Sequence, residues 1–270
     1  MKIMLNKNQF YQDSKISWTD KTWNPWRGCN KVSAACKHCY MFRYYSNRGI
    51  NPNLVVKQEG VFDKPLRMDR GSKIFTCSMS DFFHEGADEW RADAWEIIKK
   101  TPYHSYLILT KRPERIKENL PEDWSKENYG HVWLGVTVES QKEVHRIHTL
   151  GEIPCEVRWV SFEPLLGNIE LSQQELEILD WAVIGGESGY KNQVRKTELS
   201  WYNSLMFQIM GYGIPLFFKQ LGSYYHYEEL KLRDWHGQEY CENFPGRYKI
   251  RQYPKYLYGE EEINHLKKAI

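Results

Sequence analysis

The feature that most restricts the fold is an alternation of two kinds of segment at intervals of roughly thirty residues. Short runs rich in β-branched and apolar residues fall at 73–77, 105–110, 131–138, 157–162, 180–184 and 215–219, and they read as strands. Segments with helical patterning, 88–100, 140–150, 172–179 and 199–210, lie between several of them. Repeated βαβ units carry parallel strands, because each helix returns the chain to the same end of the sheet. The reading is an α/β chain whose parallel sheet curls into a (βα) TIM-like barrel, complete or partial. A first strand is expected at 15–18, where Ile16 and Trp18 alternate with polar residues.

The 270 residues suit one such barrel, which takes about 200–250 residues. We read a single domain over 1–270, with its core at about 15–222 and a C-terminal extension at 223–270 that ends in a helix at 259–270. Lysine plus arginine exceed aspartate plus glutamate by two. No global field therefore draws the chain to nucleic acid or an anionic membrane, and a polymer substrate would need a local patch. No apolar run approaches a membrane span and the N-terminus lacks the apolar core of a secretory signal, so the protein is expected to be cytoplasmic, with no membrane partner.

Parallel barrels carry their chemistry at the C-terminal ends of the strands, where the loops converge. Here the expected strands exit into Ser78-Met79-Ser80-Asp81, Thr110-Lys111-Arg112, Thr137-Val138-Glu139-Ser140, Ser161-Phe162-Glu163, Gly185-Gly186-Glu187-Ser188-Gly189 and Lys219-Gln220. Loops are polar by default, yet six polar exits in succession favour a site. Glu139, Glu163 and Glu187 are candidate catalytic or ligand-binding carboxylates around one cavity, able to bind an amino group, accept from ribose hydroxyls or exchange protons. Lys111, Arg112 and Lys219 would supply cations for a carboxylate or phosphate. Gly185 and Gly186 permit close backbone approach to a ligand. His84 is a candidate proton donor or a structural hydrogen-bond partner, and Cys77 and Tyr40 are candidate hydrogen-atom relays or packed core residues.

Three of the six cysteines, Cys29, Cys36 and Cys39, crowd into eleven positions, while Cys77, Cys155 and Cys241 are scattered. That spacing does not suggest a disulfide framework; clustered thiols in a reducing compartment suggest a metal. Three thiolates leave one coordination position open, which points to chemistry rather than scaffolding. A structural zinc would have to borrow a fourth ligand, with His38 the nearest. Trp18, Trp23 and Trp26 precede the cluster and serve either as core filling or as a dry shell around it. The last two cysteines are expected at the start of a helix that closes at Gly49.

Cys29-x6-Cys36-x2-Cys39, with His38 before the last cysteine and Tyr40 after it, resembles a variant of the radical S-adenosylmethionine cluster motif. From Ile16 to Gly222 the chain resembles a bacteriophage and bacterial family of radical-SAM-like three-cysteine-motif proteins. The matching blocks are ISWTDKTWNPWRGCNKVSAACKHCY, FTCSMSDFFHE, LTKRPERI, VWLGVTVES, SFEPLLG, DWAVIGGESG and PLFFKQLG. The resemblance implies a [4Fe–4S] cluster on Cys29, Cys36 and Cys39, with S-adenosylmethionine on the free iron. It also implies reductive cleavage to a 5′-deoxyadenosyl radical and an electron donor such as flavodoxin or ferredoxin. Cofactor contacts are expected from Ser78, Ser80, Asp81, Thr110, Lys111, Arg112, Ser161, Gly185, Gly186 and Lys219.

Two departures from the superfamily pattern stand out. Six residues rather than three separate the first two cysteines, and Gly-Gly-Glu follows the sixth strand rather than the second. The amino-group contact is therefore assigned to Ser80 and Asp81, and Glu187 to substrate or ribose. A nucleotide, nucleic acid or phage DNA base is the expected substrate, with an amino acid or small metabolite left open; Lys111/Arg112/Arg115 and Lys191/Arg195/Lys196 either hold its phosphates or are solvated surface charges. The alternatives are a nucleic-acid-binding module with a structural cluster or zinc, and a phage–host interaction protein without turnover.

Overall fold

The computed structural model describes residues 14, 16–190, 193–228 and 250–254. Nine strands are described: β1 (Lys21–Trp23), β2 (Trp26–Arg27), β3 (Val56–Lys57), β4 (Lys73–Thr76), β5 (Ser105–Thr110), β6 (Val132–Thr137), β7 (Val157–Phe162), β8 (Trp181–Gly185) and β9 (Leu216–Gln220). The helices are α1 (Tyr40–Ser46), α2 (Asp88–Lys100), α3 (Lys126–Tyr129), α4 (His145–Gly151), α5 (Gln173–Ile178), α6 (Leu199–Gly211) and α7 (Ser223–Glu228). Seven strands form one parallel sheet in the order β1-β4-β5-β6-β7-β8-β9, and β2 and β3 make a small antiparallel ribbon.

Period-two alternation assigns the two faces of this sheet. On β6, Val132, Leu134 and Val136 join the large core beneath the helices, while Trp133 joins a second cluster with Phe75, Leu107, Val157, Trp159, Trp181, Val183 and Phe217 on the other face. That second face is concave. Trp18, just before β1, makes edge contacts with Phe75 on β4 at 4.7 Å, Trp159 on β7 at 5.2 Å and Trp181 on β8 at 6.1 Å, which a flat sheet would forbid. Tyr253 stacks on Trp181 at 5.5 Å, and Lys73 of β4 lies 5.4 Å from its ring. The sheet is thus curled into a half-barrel whose N-terminal end is plugged by aromatic rings. Every residue of β6 is buried, as expected of a strand covered on both faces.

Two expectations need correction. The first strand is Lys21–Trp23, paired with β4 through Lys21 and Ile74; residues 16–18 form a turn, and Lys15 lies outside the described residues. The helix expected over 140–150 is a 3-10 turn, Gln141–Glu143, followed by α4. Part of the C-terminal extension is placed: Phe218 N donates to Ile250 O at 2.9 Å and Gln252 N to Leu216 O at 2.9 Å, covering the open edge of β9. The expected 259–270 helix lies outside the described residues. Among the described residues no helix is long and apolar enough to cross a membrane.

Candidate functional site

The three-cysteine loop lies across the C-terminal ends of the sheet, fastened to four strand exits. After β4, Met79 O accepts from Gly28 N at 3.1 Å and Ser80 Oγ donates to Gly28 O at 2.5 Å. After β5, Arg112 reaches Cys29 Sγ at 3.7 Å and Asn30 O at 3.2 Å. After β6, Glu139 accepts from Ala35 N at 3.4 Å. After β8, Arg195 donates to Ala34 O at 2.9 Å. Cys36 is buried within the 3-10 turn Ala34–His38, and Cys39 is the N-cap of α1. The helix ends at Ser46, and the chain turns at Gly49, whose φ of +65° suits glycine.

Asp81 organises the first half of this arrangement. One of its oxygens accepts from Phe83 N at 3.0 Å and Thr110 Oγ1 at 2.7 Å, the other from Lys111 N at 3.0 Å and Arg112 at 3.3 Å. With two donors on each oxygen, Asp81 and Thr110 serve as scaffold that aims Arg112 at Cys29. Burial, and next the charge of Asp81, push the Cys29 thiol up to about 11, with Arg112 pulling the other way. A bare thiolate is therefore disfavoured there.

The three carboxylates expected around one cavity part company. Glu139 is fully buried and paired with Arg146 at 3.0 Å. Glu187 forms a forked ion pair with Arg195, whose backbone N also donates to it at 2.9 Å. Both acids hold the cysteine loop, through Ala35 N and through Arg195. Glu163 alone turns to the concave face, where Lys219 Nζ is 2.9 Å away and Ser161 Oγ donates at 3.2 Å. Beside it Lys111 Nζ donates to Thr137 Oγ1 at 3.2 Å. Lys111, Thr137, Ser161, Glu163 and Lys219 thus form a polar layer at the C-terminal mouth, above the aromatic plug. Tyr40 approaches the same layer: its hydroxyl donates to Ser78 O, and burial of that hydroxyl beneath an exposed ring raises its pKa.

The two glycines are each approached closely by other parts of the chain. A Cβ on Gly185 would meet Glu163 Oε1 at 2.3 Å, and one on Gly186 would meet Leu221 O at 2.2 Å. Ser78 exchanges hydrogen bonds with the Asn24 side chain, which also accepts from Met79 N at 2.8 Å. His84 caps the 3-10 turn Glu85–Ala87 by accepting from Gly86 N at 2.9 Å; burial, then the charge of Arg112, lowers its pKa. Among the described residues, neither expected phosphate patch offers a cluster of unengaged cations. Arg115 binds Asp88 and Lys196 binds Glu198, Arg112 and Arg195 are engaged as above, and Lys191 lies outside the described residues. Asn24 and Arg146 had no signal in the sequence; their roles depend on partners distant along the chain.

Cys29, Cys36, Cys39, Cys77 and Cys155 are free thiols, and Cys241 lies outside the described residues. Among the described residues no three His, Cys, Asp or Glu side chains close on one metal-ion position. The three thiols of the loop differ in surroundings, with the Arg112 guanidinium beside Cys29 and burial around Cys36. A cleft of about 440 Å³ between α2 and the 119–123 segment, lined by Asp88, Arg91 and Tyr129 among others, belongs to the outer layer and not to this mouth.

Fold and site together define a parallel α/β half-barrel protein with a three-thiol loop across its mouth. The chain belongs to the family described as Protein of unknown function (DUF5131), which it matches over residues 13–254. No curated protein and no solved structure matches it.

Proposed function

We propose that this chain is a radical S-adenosylmethionine enzyme, built on a partial TIM-like (βα) barrel, that modifies or isomerises a nucleotide or nucleic-acid base. One observation carries the reading: three thiols on one loop are fastened over the C-terminal mouth of a curled parallel sheet, above a layer of lysine, carboxylate and hydroxyl groups. Cys29, Cys36 and Cys39 would hold a [4Fe–4S] cluster. Bound and reduced by a donor such as flavodoxin or ferredoxin, it would supply the one electron that splits S-adenosylmethionine into methionine and a 5′-deoxyadenosyl radical.

The chain's own residues position and shield. Lys111 and Lys219 suit the methionine carboxylate, Glu163 the α-amino group, and Ser161 and Thr137 ribose hydroxyls. The aromatic plug below closes the half-barrel to water from its N-terminal side. Asp81, Thr110, Glu139 and Glu187 hold the loop in register with that layer.

Anaerobic reconstitution tests the proposal. About four irons per chain are expected, lost in Cys29→Ala, Cys36→Ala and Cys39→Ala alike. Dithionite and S-adenosylmethionine should then yield 5′-deoxyadenosine. A fully loaded cluster that yields none, or one zinc per chain in place of iron, overturns it.

A further inference from the structure

From Lys21 to Lys57 the chain carries seven lysines and arginines and no aspartate or glutamate, although its formal net charge is only +2. The fold gathers the outward part of that charge on the cysteine loop and α1. Lys31, Lys37 and Arg48 are exposed and Arg43 is half-buried. Among the described residues none of these four pairs with a carboxylate. Glu139 and Glu187, the acids that hold the loop, are buried and neutralised by Arg146 and Arg195, so the outer face stays positive.

Aromatic rings are interleaved with these cations. Tyr40, Tyr44 and Tyr190 are 50%, 45% and 57% exposed, where a ring of that size ordinarily seeks cover. Arg48 lies 3.7 Å from the Tyr44 ring centre, Arg43 lies 5.4 Å from that of Tyr190, and Lys31 lies 4.9 Å from that of Phe42. The hydroxyl of Tyr40 is anchored on Ser78 O, which leaves its ring at the surface. Because Tyr190 follows β8 and Arg43 belongs to α1, the surface continues from the helix onto the opposite rim of the mouth.

We infer that this face binds single-stranded nucleic acid, with phosphates on Lys31, Lys37, Arg43 and Arg48 and bases stacked on Tyr44 and Tyr190. Phosphate neutralisation draws the strand in, and an exposed ring stacks on any unpaired base. A duplex keeps its bases stacked on one another and offers these tyrosines no face. A single strand also delivers a base to the mouth without the cost of extrusion. The inference rests on the proposed function only for what is done to the bound strand.

Fluorescence anisotropy on the full-length protein tests it, with a labelled oligonucleotide of about 16 nucleotides as single strand and as duplex. Titrations run from about 50 to 200 mM salt. The single strand should bind more tightly. Lys31→Ala with Lys37→Ala should weaken it about tenfold or more and lower the salt slope by about 0.7 per charge removed. Lys31→Arg with Lys37→Arg should restore binding. Tyr44→Ala should cost about fivefold or more and Tyr44→Phe little. Absence of salt-dependent binding, equal or tighter binding of the duplex, or wild-type affinity in the double alanine variant overturns the inference. Formation of 5′-deoxyadenosine is read without oligonucleotide, so either proposal fails without the other.

Discussion

The guanidinium of Arg112 stands 3.7 Å from the sulfur of Cys29. Asp81 holds it there at 3.3 Å, so an acid after β4 aims a cation from the end of β5 at the first thiol of the loop. Charge, loop position and strand exit are coupled in one partly buried contact.

Arg112→Ala should leave Asp81 buried without its counter-ion, held only by Phe83 N, Thr110 Oγ1 and Lys111 N, at about 3 kcal/mol of stability, and release Asn30 O. Arg112→Lys keeps the charge but loses the fork, so a smaller loss is expected. Urea denaturation measures both, and iron per chain after reconstitution should fall in the same order. Wild-type stability for Arg112→Ala would remove Arg112 from this role.

Glu139→Ala leaves Arg146 without its carboxylate and frees the amide of Ala35. The expected stability cost is about 3–5 kcal/mol. Faster alkylation of Cys36 in metal-free protein, followed by mass spectrometry with Cys155 as the internal control, should accompany it. Unchanged Cys36 labelling would mean that the clamp does not hold the loop.

Gly135→Ala and Gly185→Ala should separate packing from site geometry. On Gly135 the new methyl would meet the Trp159 indole at 2.3 Å, inside the aromatic plug. About 1–3 kcal/mol should be lost as a lower melting temperature. On Gly185 it would meet the end of a flexible carboxylate, which can move away from Lys219 at little cost in stability. Under the proposed function, calorimetry should then find S-adenosylmethionine bound about tenfold less tightly, the equivalent of one hydrogen bond. Equal affinity in the Gly185 variant would exclude Glu163 from binding.

Acid should weaken the fold through its buried histidines. His104 is fully buried, its Nδ1 accepting from Ser72 N at 3.3 Å and its Nε2 facing Pro65 O at 3.2 Å. Burial lowers its pKa from the ordinary 6.5, with the Pro65 contact opposing, and burial lowers that of His131 as well. The unfolded chain thus takes up protons that the folded chain refuses. Stability is full above about pH 6.5 and declines as pH falls toward the depressed values. Urea midpoints across about pH 5 to 7.5 should show this slope, and His104→Gln should flatten it. A midpoint that rises toward acid would contradict the assignment.

Sequence alone determined the parallel α/β class and the strands from β4 onward, because runs such as Val132–Thr137 are apolar on both faces and need cover on both sides. It also placed Glu139, Glu163 and Glu187 at strand exits, since a strand's end follows from its length. It did not determine β1, three residues with Trp23 alone buried, because the stronger alternation of Ile16 and Trp18 belongs to a turn whose indole plugs the curled sheet. Nor could it decide which acid faces the mouth. Glu139 meets an amide 104 positions away and Arg195 a carbonyl 161 positions away. Such pairings exist only once the sheet curls and the cysteine loop crosses it. Local preference acts over a few residues, whereas the partner of a buried charge is chosen by whatever packing brings within about 3 Å.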